Sequence, residues 1–132
     1  MLVKKIKYID YNGNPREEDY YFNISKSELA EMELSIDGGY SVMMERIVAA
    51  QNLPELMKNF KQLILKSYGV KSPDGKRFIK SEELSTEFMQ TEAYDKLFME
   101  LITDTKAAID FANGIMPKEI AENAAAPANL MG

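Results

Sequence analysis

The chain contains no cysteine and no histidine. Disulfide frameworks, thiolate nucleophiles, Cys/His zinc sites and imidazole acid–base catalysis are thereby excluded. No run approaches the roughly 18 apolar residues of a membrane span, and the opening MLVKKIKYID has no apolar signal core. A cysteine-free chain suits a reducing cytosol. The formal charge of −5 argues against general affinity for nucleic acid and leaves room only for a local basic patch.

What is present fits one soluble domain with a single core: 132 residues, 45% apolar and 28% charged. The pattern predicts an α+β, mostly α fold. An N-terminal β-hairpin precedes a compact bundle of about five to six short helices with a small central hairpin as connector. The domain is expected over residues 1–120, and the small-residue-rich stretch 121–132 is expected to be a flexible tail.

Residues 3–24 read as two strands around Asn12-Gly13, a strong turn signal. A two-residue turn pairs Val3 with Phe22. Keeping Ile6 and Tyr8 on the face of Tyr20 and Phe22 requires a longer loop, and the sequence leaves both registers open. Pro15 lacks an N–H, which places it at an edge or an irregular end. Ser25 and Glu28 form a capping box for a helix burying Leu29, Met32 and Ile36, with Gly38-Gly39 as its stop. A second helix is expected from about Tyr40 to Gln51. A third, capped by Asn52, buries Leu53, Leu56, Met57, Phe60, Leu63, Ile64 and Tyr68 on one stripe, with Gly69 ending it. Three more follow near 82–90, 92–102 and 105–113. Thr91 and Asp104 serve as caps, Gly114 as the last stop, and Pro117 opens a weak final turn.

No catalytic motif emerges. The stretch SPDGKRF has one Gly before Lys-Arg-Phe and lacks the first glycine and the Ser/Thr of a phosphate loop, and it fits a Pro-Asp-Gly turn setting a short hairpin. Between Lys58 and Lys80 seven bases face one acid, a local charge of +6. Between Glu82 and Asp104 seven acids face one lysine, a local charge of −6. Such a bipolar layout suits head-to-tail association, unless the two stretches fold against each other and cancel. The helix after the turn, EELSTEFMQ, is acidic and would repel duplex phosphates. Carboxylate pairs such as Glu82/Glu83 read as solvated helix surface. Nine methionines are many for this length. At helical spacing most belong to a core, but Met89 and Met99 lie off the main stripes and are the candidates for partner binding.

The run LKSYG…SPDGKRFIKSEELSTEFMQTEAYDKLFMELITD…FANGIMP resembles the small tail assembly chaperones of long-tailed, siphovirus-type bacteriophages, best over residues 60–117. The resemblance implies a non-enzymatic protein without a cofactor, acting in the cytoplasm of the infected bacterial host. It implies binding and solubilisation of the tape measure protein, recruitment of tail tube subunits and self-association, with no nucleic-acid or membrane partner. It transfers no residue role onto a numbered position. Two other readings compete: a DNA-binding regulator using residues 58–80, and a virion structural or connector protein.

Overall fold

The computed structural model describes residues 1–35 and 53–117. The expected helix 40–51, the Gly38-Gly39 stop, Ile36, the Asn52 cap and the tail 121–132 lie outside the described residues. Among the described residues, four strands and five helices follow one another: β1 (Leu2–Ile9), β2 (Pro15–Phe22), α1 (Lys26–Ser35), α2 (Leu53–Ser67), β3 (Tyr68–Lys71), β4 (Phe78–Ile79), α3 (Glu82–Met89), α4 (Glu92–Thr103) and α5 (Thr105–Ile115).

The first hairpin takes the longer-loop register. Leu2 pairs with Phe22, Ile6 with Glu18 and Ile9 with Pro15, leaving residues 10–14 as the loop. Because side chains alternate across a strand, Leu2, Ile6, Tyr8, Tyr20 and Phe22 share the inner face. Asp10 builds the loop: its carboxylate accepts from the N–H groups of Asn12 and Asn14 at 2.9 Å each and from Arg16 Nε at 2.8 Å. Gly13 supplies the positive φ of 82°.

The connector hairpin is more than a link between helices. Tyr21 pairs with Gly69 and Phe22 with Tyr68, so β3 and β4 extend the N-terminal hairpin into one antiparallel sheet of order β1-β2-β3-β4. This changes the role of Gly69. It does not stop α2 with a left-handed cap; α2 ends at Ser67, and Gly69 lies within β3. A Cβ there would stand 2.7 Å from the Phe78 ring and 2.9 Å from the Ile79 carbonyl oxygen, so only glycine lets Phe78 lie across the strand. The helix-to-strand switch is held by Ser67, fully buried. Its hydroxyl donates to the Leu63 carbonyl at 2.8 Å, while its own carbonyl accepts from Asn23 N–H. Tyr68, expected on the helical stripe, consequently belongs to the sheet.

The helices carry the caps the chain spells out. Ser81, Thr91 and Asp104 side chains accept from the N–H groups of Leu84, Tyr94 and Ala107, opening α3, α4 and α5. Gly114 is not the stop of α5, which runs on to Ile115; its missing side chain makes room for Leu2, whose Cδ1 lies 3.0 Å from where a Cβ would be. Phe60, Leu63 and Ile64 of α2 are buried, Leu56 is partly so, and Met57 is exposed.

Sheet and helices meet in an aromatic centre. Phe22, with no exposed surface, packs edge-on against Phe111 and Phe88, and Phe88 stacks on Tyr68 with centroids 4.3 Å apart. Leu97, Leu101 and Ile115 complete it. Burying each such side chain contributes about 1.5–3 kcal/mol relative to leaving it in water. At the rim of this core the hydroxyls of Tyr8 and Tyr20 both donate to Glu18, holding its carboxyl below the usual range.

Candidate functional site

The turn 72–77 is self-contained. Ser72 Oγ donates to Asp74 Oδ1 at 2.6 Å, and Lys76 N–H reaches the same oxygen at 3.0 Å. Arg77 N–H donates to Ser72 Oγ, and Gly75 N–H to the Ser72 carbonyl. The donors that a phosphate would need are thus occupied within the turn, two by the Asp74 carboxylate and two by the Ser72 oxygens. The Ser72 hydroxyl and the Lys76 amide hold Asp74 below the ordinary aspartate range, so it stays charged.

The basic stretch is further divided by its partners. Lys80 is turned inward onto Glu28 at 2.8 Å and onto the Asn23 carbonyl at 2.6 Å. The Lys71 ammonium stands 4.5 Å from the Tyr21 ring centroid on the outer sheet face. Lys58, Lys61, Lys66, Lys76 and Arg77 are exposed. On the acidic side Glu82, Glu83, Glu87 and Asp95 are exposed, and Glu100 pairs with Lys4 at 3.0 Å. Among the described residues no ion pair joins the 58–80 stretch to the 82–104 stretch. Helix α2 packs on α3 and α4 through its apolar side, so the two charge sets are not stitched together and both face water.

The two methionines singled out by their spacing sit differently. Met99, on α4, is exposed, at 52% of its full surface. Met89, at the end of α3, is half-buried and packs against the core. Met116 is buried, while Met43 and Met44 lie outside the described residues. Other exposed apolar side chains are Met57 on α2, Val70 on β3, Ile109 on α5, and Val3 and Ile9 on β1. No helical stripe marks the β1 pair, since their common face is set by strand register alone.

Two shallow grooves flank β1. One is lined by Tyr8, Ile9, Tyr11, Glu92 and Lys96, the other by Leu2, Lys4, Glu100, Lys106 and Phe111. In the second, Lys106 pairs with Asp110 at 2.9 Å and Lys4 with Glu100 at 3.0 Å. Among the described residues no group of three or more acidic side chains is placed to hold a metal ion, and no helix is long and apolar enough to cross a membrane.

Comparison with known proteins finds a family. The model of a family described as phage tail assembly chaperone covers residues 1–129. No curated protein and no solved structure matches.

Proposed function

We propose that this chain, which belongs to the phage tail assembly chaperone family, binds and solubilises the tape measure protein and helps recruit tail tube subunits in the host cytoplasm. Family membership is the observation that carries the proposal. The surface supports it: Met99 stands exposed on a helix flank, and exposed Met57 and Ile109 offer further apolar contact. An unbranched, polarisable side chain adapts to varied helical clients. Met89, half-buried beside the core, would contribute where a client reaches α3.

Among the described residues no ion pair joins the two charge sets, and this supports a second part of the reading. Copies of the chain associate through the α2 lysines of one and the α3–α4 carboxylates of the next, lining up along a long client. Against a DNA-reading role stand the Asp74-filled turn, the inward Lys80 and the acidic α3. The experiment is co-expression with a tape measure fragment: the fragment should co-purify with the chain. Recovery of the chain alone, with tight, salt-sensitive binding to duplex DNA, would favour the regulator instead.

A further inference from the structure

β1 is an edge strand of the four-stranded sheet, and among the described residues nothing pairs with its outer side. Antiparallel pairing alternates, so every second residue turns its backbone groups toward the neighbour. Asp10 N–H donates to the Asn14 carbonyl, which fixes the phase. Residues 2, 4, 6 and 8 therefore bond to β2. The N–H and C=O groups of Val3, Lys5, Lys7 and Ile9 point to the open edge.

The same four side chains lie on the exposed sheet face. Val3 and Ile9 are 48% and 56% exposed, at the two ends of a Val-Lys-Lys-Ile row. Within Leu2–Ile9 there are three lysines and no acid, in a chain whose net charge is −5. The strand already shows what it pairs with. Across the β1–β2 ladder Lys5 faces Asp19 and Lys7 faces Glu17, and Lys5 Nζ lies 3.8 Å from Glu17.

We propose that the open edge of β1 accepts an extended acidic segment of a partner protein as a fifth strand, with carboxylates opposite Lys5 and Lys7 and apolar residues opposite Val3 and Ile9. Strand addition gives affinity through the main chain and selectivity through alternate side chains. Lysine on an edge normally blunts such pairing. Here it also selects, because an antiparallel β1 of a second copy would set lysines against lysines, which is destabilising. An acidic strand removes that repulsion and repeats the pattern β2 already uses. The grooves beside β1 leave space for its inward side chains along α4.

Amide hydrogen exchange of the full chain tests this without any tape measure protein, so its outcome is independent of the proposed client. In the free chain the amides of Lys4, Ile6 and Tyr8 should exchange slowly and those of Val3, Lys5, Lys7 and Ile9 quickly. The probe is a synthetic peptide copying residues 15–22, PREEDYYF. Near saturation it should slow the second set by about tenfold or more. A charge-reversed peptide, PRKKKYYF, should not. Lys5→Pro removes a donor that faces only the open edge, so it should abolish the effect and keep Lys4 and Ile6 protected. The double variant Lys5→Gln/Lys7→Gln, which keeps every backbone donor, should weaken it. The proposal is overturned if the odd amides are already slow in the free chain, if the acidic peptide leaves them unchanged, or if both peptides act alike.

Discussion

The ammonium of Lys80 lies 2.8 Å from both carboxylate oxygens of Glu28 and 2.6 Å from the Asn23 carbonyl, joining the start of α1 to the end of β4. Glu28 serves twice. It also accepts from Ser25 N–H at 2.9 Å, closing the capping box that opens α1. Burial pushes its carboxyl up, but the Lys80 and Ser25 hydrogen bonds outweigh that and hold it below the usual glutamate range.

Replacing Glu28 with Gln keeps a cap acceptor and removes the charge partner of a largely covered ammonium. The variant should lose about 1–2 kcal/mol. Thermal unfolding checks this, and an unchanged melting temperature would contradict the assigned tie.

The two glycines that a linear reading takes as helix stops separate cleanly by substitution. Gly69→Ala drives a Cβ into the Phe78 ring and the Ile79 carbonyl, and should cost about 1–3 kcal/mol. Gly114→Ala meets only the end of the Leu2 side chain, and a helix interior favours alanine by up to about 1 kcal/mol. It should be near neutral. Equal effects at the two sites would reject this distinction.

Acid should unfold the domain through a small set of carboxylates. Asp10, Glu18, Glu28 and Asp74 all have folded values below their ordinary 3.8 or 4.5. Asp10 is lowered first by the Asn14 amide and then by Arg16. A depressed folded value means stability that is present above the unfolded value and lost as pH falls through the folded one. Melting temperature should hold steady down to about pH 5 and fall below it. A rise toward pH 3 would contradict the sign.

Self-association through the α2 lysines and the α3–α4 carboxylates should respond to ionic strength, since exposed charges are screened beyond about 8 Å at physiological salt. Sedimentation velocity should show larger species at low salt that dissociate at about 0.5 M salt. Lys58→Glu/Lys61→Glu should act like added salt. A single species of monomer size at every salt concentration would rule the mode out.

Local chemistry was readable where a residue acts on its neighbours. The Ser25/Glu28 box and the Thr91 and Asp104 caps need only a side chain and an amide three positions away. The hairpin register stayed ambiguous because Asn12-Gly13 suits a two-residue turn, and the longer loop wins by placing Ile6 and Tyr8 over the core. Gly69 and Gly114 look like helix stops to a local pattern because their reason is a distant contact, with Phe78 and Leu2 respectively. The joining of β3 to β2 was hidden for the same cause: Tyr21 and Gly69 are far apart in sequence. Candidate surfaces were less legible still. The exposed Met99 followed from helical spacing, whereas the open edge of β1 is a property of strand order, which no local pattern encodes.

If the proposed holding of an apolar client is right, the chain should keep that client from aggregating. A tape measure fragment diluted from denaturant should scatter light as it aggregates. Near-stoichiometric amounts of the parent chain should suppress the scattering, with little dependence on salt, and Met99→Glu, placed on an exposed site, should fold normally yet suppress it poorly. Scattering that is unchanged by the parent chain would rule out the holding role.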